Sequence, residues 1–532
     1  LLAASLLATI PVWIPEYPAM CDLPQHAAQV ALLRALHHSH FAYSGMFQVN
    51  WFTPYLSGYA PLYLLTPLLG IVLAGKVVVA LALAALPLST ALVMRETGTN
   101  PYWALLTIPA LYGFNFQWGL LNFLVATPLG MVFLWLVLRH LRSGSVRSSL
   151  GLAVLLNLLF FCHALICVFF GMIAAGYIVL EKKPFLATVR SLAPLAAVLP
   201  TMALWLHKTI SNPLHTKSPI IWNLGWFNTD SRFYYGSNSW VDRAHPGMGR
   251  INGFVPRLLG TRPDAVWTIY AIVVFSLPFL AGARPGRRLK AWLPLLLCAG
   301  VLLFVPDMAF DSAFLHARFT VLVLPFFLMA FQTGSGLSAP QSAQPGKLSV
   351  NQPTSTGAIR RYATVGLATV LMIFWVGVVS VRALEFDQTI EGFNVILSQM
   401  QPGQRVLSLM GVPEDNTSIA PTLLHFPAWY SALKGGVVDP SFANFLVELV
   451  VYRPAVFHDV PHGFELHPQM FDWQKTGGDK FRYFVVRTPV DPGGFLSKSA
   501  PCPVRFLYQQ NDWWLFERDL SCKAGSALSK QQ

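Results

Sequence analysis

The sequence predicts a mainly α fold: a polytopic bundle of about 11 transmembrane helices, with interfacial helices in the first outer loop and a small C-terminal extracytoplasmic α/β domain. Three observations predict it. Hydrophobic residues fill 54% of the 532 positions and charged residues only 11%, too little polar surface for a chain of this length to stay dispersed in water. Apolar stretches of membrane-spanning length alternate with short Lys/Arg clusters. After residue 384 the apolar runs shorten to strand length. The net charge of +13 resides largely in those clusters, so it signals topology and excludes nucleic acid as a partner.

Taken in order, residues 1–14 are apolar and read as the end of a first span whose start lies upstream. No small-residue cleavage site precedes Glu16, which argues against a signal peptide. Lys and Arg stay cytoplasmic and so set the direction of each span. The clusters are Arg139, Arg142 and Arg147; Lys182, Lys183 and Arg190; Arg284, Arg287, Arg288 and Lys290; and Lys347, Arg360 and Arg361. With all four inside, 150–180 starts and ends inside and reads as a helical hairpin turning near His163. Segment 188–207 then leads outward, 266–283 returns, 291–309 leads outward, 317–333 returns and 362–384 delivers the tail outside.

Ahead of Arg139 parity demands an odd number of crossings, yet four apolar segments are present. Segment 58–75 is the weakest, because Pro61 and Pro67 break it and Gly58, Gly70 and Gly75 loosen it. It reads as one or two helices lying in the outer interface, with Lys76 outside. The crossings are then 77–94 inward, 101–113 outward and 119–138 inward.

The regions assigned outside are two loops, about 16–76 and 208–264, and a domain at 385–532. In the tail, 405–410, 481–487, 504–510 and 513–518 read as strands and 443–452 as a helix. Asn511-Asp512 reads as a two-residue hairpin turn. Reflection about it places Cys502 opposite Ser521, one residue short of Cys522, so a disulfide between Cys502 and Cys522 is expected outside the cytoplasm. Cys162, His163 and Cys167 cluster without a four-ligand pattern and read as packing. His425, Trp429 and Tyr430 mark a turn-rich stretch that either faces the membrane site or, on the plainer reading, builds the domain. Asn416-Thr-Ser418 is a glycosylation sequon, meaningful only in a cell that uses one.

The first outer loop contains Cys21-Asp22-Leu-Pro24-Gln25-His26. Asp22 admits two readings. As an N-cap it is well supported, with Pro24 in the first turn and Gln25 completing a capping box; as a carboxylate just outside the membrane it is a candidate general base. Further on come Gly58-Tyr-Ala-Pro-Leu-Tyr-Leu-Leu and His316-Ala-Arg318-Phe-Thr-Val-Leu-Val-Leu-Pro325. An Asp after the first span, a Pro-Leu-Tyr segment before the second, many spans and a closing outer domain together resemble the GT-C superfamily. These are polyprenyl-phosphate-dependent glycosyltransferases that include protein O-mannosyltransferases, aminoarabinose transferases and oligosaccharyltransferases.

The resemblance implies transfer of a sugar from a polyprenyl phosphate to an acceptor outside a bacterial inner membrane. Asp22 would be the base and His26, one turn later, would orient it or the acceptor. Arg318 would bind the phosphate, unless it merely snorkels at a helix end. Tyr59, with Arg232, Arg243 and His245 of the second outer loop, completes the substrate-binding candidates, although the aromatics of that loop equally suit any membrane interface. The sequence departs from the family at Leu23, where Glu is common, at Tyr59-Ala60, where a basic residue often precedes the prolines, and in the next outer loop. That loop offers Asn115, Gln117 and Asn122 but no second acid, so neither a divalent metal nor another cofactor is expected. The expected partners are the bilayer and the lipid-linked sugar. A transporter or flippase and a non-catalytic assembly factor remain the alternatives; the spans carry almost no acidic residues and show no internal repeat, which disfavours the first.

Overall fold

The computed structural model describes residues 1–38, 41–212, 220–222, 224–227, 248–309, 312–332, 355–415, 417–454, 456, 460 and 463–522. Arg232, Arg243, His245, Lys347 and Asn416 lie outside these residues. Three helices are long and apolar enough to cross a membrane alone: Ile71–Thr97, Leu121–Ser143 and Ala363–Gln399. The pair Phe185–Ala196 and Leu199–Ile210, bent by 46°, is a broken span or a re-entrant loop. Other apolar helices run 10–17 residues, at most about 25 Å against a hydrocarbon core of about 30 Å. Eleven crossings therefore do not follow from helix length.

The expected hairpin has its break at His163, whose extended backbone (φ −167°, ψ 112°) separates Val146–Cys162 from Ala164–Leu180. Cys167 Sγ reaches back to Leu156 O at 3.4 Å, so the arms fold against each other. Pro101–Tyr112 is a 3-10 helix of 12 residues, unusually long for that type. At about 2.0 Å per residue it extends about 24 Å, as far as a substantially longer α-helix. Helix Leu56–Leu69 ends at Gly70, whose φ of +75° only glycine adopts freely, and Ile71–Thr97 starts on its far side. Lys76 lies in the first turns of that second helix and donates to Pro15 O at 2.5 Å, level with the start of the loop that carries Asp22.

Helix Ser355–Gln399 is 45 residues long, so the boundary drawn at residue 384 falls inside one rod that leads straight into the tail. There a five-stranded sheet has the order Val437–Asp439, Arg405–Met410, Tyr483–Arg487, Trp513–Arg518, Val504–Gln510. The first three strands are parallel, and Trp513–Arg518 runs antiparallel to both of its neighbours. Burial on both faces follows, since Tyr483 and Val485 join the core shared with the bundle while Phe484 and Val486 join a smaller cluster behind the sheet. The Asn511-Asp512 hairpin is present, and Cys502 and Cys522 are bonded, with Cα atoms 5.7 Å apart.

Residues 443–452 are not a helix. A 3-10 turn, Phe442–Asn444, is followed by strand Val450–Tyr452, which pairs antiparallel with Phe47–Val49 near the start of the chain. A short apolar run is ambiguous between helix and strand, and here a partner strand from the other end of the chain settles it for the β-branched Val450 and Val451. Two glutamines of helix Leu23–Leu36 clip the same segment down. Gln25 donates to Pro440 O at 2.8 Å and accepts from Phe442 N at 3.1 Å. Gln29 donates to Val450 O at 3.0 Å and accepts from Val450 N at 2.7 Å. The tail is thus seated on the loop that carries Asp22.

Candidate active site

Gly119 places Asp22. Its φ of +73° turns the chain after Trp118, and a Cβ there would lie 2.6 Å from Asp22 N. The turn lets Gln117 O and Trp118 O accept the N–H groups of Cys21 and Asp22 at 2.8 and 3.0 Å. Asp22 occupies the N-cap position of Leu23–Leu36, but its side chain makes no cap hydrogen bond. Its Oδ1 instead accepts from His425 Nδ1 at 2.9 Å. Gln25, assigned to a capping box, is spent on the tail, so the capping reading has no hydrogen bond to rest on.

His26 does not pair with Asp22. Its Nδ1 lies 2.7 Å from Tyr59 Oη, and that hydroxyl donates to Glu448 Oε2. All three side chains are buried. Burial pushes the Glu448 carboxyl up to about 8, against the lowering effect of the Tyr59 hydrogen bond. Burial also pushes His26 down to about 4 despite the attraction of Asp22. At neutral pH the chain is a neutral imidazole, a phenol and a largely protonated carboxyl.

Arg318 is buried at the start of the 3-10 turn Ala317–Phe319. Ala313 O accepts from its Nε at 3.2 Å and from its Nη2 at 2.9 Å, while Nη1 lies 3.3 Å from His163 Nε2. Asn115 Nδ2 donates to Arg318 O at 2.6 Å and holds the backbone. No carboxylate of the described residues pairs with this guanidinium, and a buried charge left without a counter-ion calls for an anion.

Asp22, His26, Glu448, His425 and Arg318 line one cavity of about 260 Å3, with Tyr55, Trp118 and Phe314 among its apolar walls. Tyr59 stands behind it, bonded to two of the lining residues. Cys21, Asp22 and His425 each offer a ligand atom, all within 4.8 Å of one another, and form a group that could hold a metal ion. Burial, with Asp22 adding to it, raises the Cys21 thiol well above its ordinary range, which disfavours the thiolate such an ion needs.

No family model and no curated relative matches the sequence. Among solved structures, the crystal structure of ArnT from Cupriavidus metallidurans in the apo state is similar over 97% of this chain and 96% of that one, with a TM-score of 0.53 at 10% sequence identity. The overall fold is thus similar to that of ArnT. Of the residues named from the sequence, Asp22, His26 and Arg318 come together at this cavity with Tyr59 behind it, while His425, assigned to building the domain, and Glu448, which was not named, also line it. The loop around Asn115 and Asn122 offers no second acid, whereas two carboxyls of the tail, Glu448 and Glu465, line the cavity with Asp22. One signal for Glu448 was available: it is a lone acid in the apolar run Phe445-Leu-Val-Glu448-Leu-Val-Val, and an acid without a polar neighbour is either buried or functional.

Proposed function

We propose that this chain is a membrane glycosyltransferase that moves a sugar from a polyprenyl-phosphate donor to an acceptor on the extracytoplasmic face, by an inverting, metal-independent displacement. One observation carries the reading: a carboxylate held by a histidine and a buried arginine that pairs with no carboxylate of the described residues open into the same cavity, in a GT-C-like frame. Asp22 Oδ1 is occupied by His425, which leaves Oδ2 to take the proton of the acceptor hydroxyl. As that proton leaves, the acceptor oxygen bonds to the anomeric carbon on the face opposite the phosphate, and the bond from that carbon to the phosphate oxygen breaks. The electron pair departs with the polyprenyl phosphate, whose charge Arg318 stabilises through a fork suited to two phosphate oxygens. Glu448, protonated, and Tyr59 keep the wall around His26 neutral, so Glu448 does not set a second full negative charge beside Asp22.

Asp22→Asn tests the assignment, because Asn retains an oxygen to accept from His425 yet cannot take a proton at neutral pH. The expected outcome is a folded protein whose turnover falls by about a hundredfold or more, read as accumulated lipid-linked sugar in cells carrying the variant. Parent-like processing would remove the catalytic role and return the protein to the transporter or assembly-factor alternatives.

A further inference from the structure

The aromatic corner of the cavity takes no part in the proton and phosphate chemistry above. Trp118 follows the short helix Phe114–Gln117, and its ring meets that of Phe314 with centroids 4.5 Å apart and planes inclined by 42°. Phe114 closes the cluster from behind, 5.9 Å from Trp118 and 5.5 Å from Phe314. Trp118 and Phe314 both line the cavity and are only half-buried.

Two features separate this pair from ordinary packing. Phe314 has a φ of +57°, a conformation that a bulky aromatic adopts only where its surroundings enforce it. The other non-glycine residues of this kind among the described residues are Lys182, Ser499 and Asn511, all polar and in turns, whereas Phe314 faces a cavity. The surroundings that enforce it are plain: Leu315 N donates to Asp307 O at 3.0 Å and Arg318 N to Phe314 O at 3.3 Å. The second feature is position. Phe314 follows Ala313, whose carbonyl anchors the Arg318 guanidinium, and Trp118 offers its own carbonyl to Asp22 N. The two rings therefore bridge the residue assigned to the leaving phosphate and the residue assigned to the base, where the transferred group must lie.

We infer that Trp118 and Phe314 form a platform for the transferred sugar, binding a pyranose ring by its apolar C–H face. The inference rests on the glycosyl-transfer reading and adds the class of group carried. An inclined aromatic pair offers a carbohydrate apolar contact without asking for a particular hydroxyl pattern, while the polar edge of the ring stays turned toward Asp22 and His425.

Phe314→Gly separates a platform from packing, because glycine relieves the left-handed backbone while deleting the ring. The probes are a short-chain polyprenyl phosphate and the same lipid carrying a glucosyl, mannosyl or galactosyl group, titrated against the full chain in detergent. The parent is expected to bind at least one glycosylated lipid more tightly than the bare phosphate, by about tenfold. Phe314→Gly is expected to unfold no earlier than the parent, to keep its affinity for the bare phosphate and to lose the preference. Arg318→Ala is expected to lose affinity for both lipids. A preference that survives in Phe314→Gly, or a parent that binds bare and glycosylated lipids equally, overturns the platform alone. A parent that binds none of these lipids overturns the glycosyl-transfer reading itself.

Discussion

The acidic and cationic walls of the cavity are built at very different separations along the chain. On the acidic wall, Asp22 meets His425 across 403 residues and Tyr59 meets Glu448 across 389. On the cationic wall, Arg318 is anchored by a carbonyl five residues away and by His163 at the turn of a helical hairpin. The first wall exists only when the tail is docked; the second belongs to the bundle. The two should therefore fail separately, and each experiment below breaks or sharpens that separation.

Among these further variants, the largest effect is expected at Arg318, on the cationic wall. Arg318→Ala should lower turnover by about a hundredfold, through the loss of charge stabilisation at the leaving phosphate. Arg318→Lys should recover only part of it, since an ammonium cannot make the forked contact. Turnover unchanged in Arg318→Ala would assign this residue to helix-end snorkelling and leave the cavity with one working wall.

The acidic wall should yield next, by undocking the tail. Replacing Gln25 and Gln29 together by Leu strips partners from four buried or half-buried backbone groups of 440–450, at about 1 to 3 kcal/mol for each group left unsatisfied. Thermal unfolding should begin earlier and turnover should fall by at least about tenfold, while affinity for a bare polyprenyl phosphate stays near that of the parent. Equal loss of phosphate affinity would show the walls to be one unit.

A pH experiment isolates Glu448. Its folded-state value of about 8 stands above the ordinary 4.5, so the folded protein holds this proton more tightly than the unfolded chain does. The resulting stability is fully present below about pH 4.5 and is lost as the pH rises through about 8. Glu448→Gln keeps an acceptor for Tyr59 and carries no titrating proton. Its unfolding temperature should change less than that of the parent between pH 5 and 8.5, roughly the window this linkage predicts. Parallel pH profiles for the two proteins would contradict the raised value.

The smallest effect on activity is expected at the disulfide. Cys502→Ser with Cys522→Ser should destabilise the tail by about 3 kcal/mol yet leave turnover close to that of the parent at low temperature. The bond lies beyond the ends of the outermost hairpin strands, away from the segments that supply His425 and Glu448. A marked loss of turnover in the well-folded double variant would mean that the sheet edge is coupled to the acidic wall.

Features that depend on a short window of chain were legible in the sequence. Apolar runs with flanking Lys and Arg identified a membrane chain, a double-length apolar run between two basic clusters located a break near His163, and Asn511-Asp512 located the terminal hairpin. Asp22 and Arg318 stood out for the same reason, as charges beside apolar segments. Only the tertiary structure decided that Asp22 pairs with His425 rather than capping its helix, that His26 turns to Tyr59, and that Glu448 lines the same cavity. It also decided that residues 443–452 hold a strand instead of a helix, because Val450–Tyr452 takes its partner from Phe47–Val49. Hydropathy, charge bias and turn chemistry are properties of neighbouring residues. A hydrogen bond spanning some four hundred residues leaves no periodicity in either of the segments it joins.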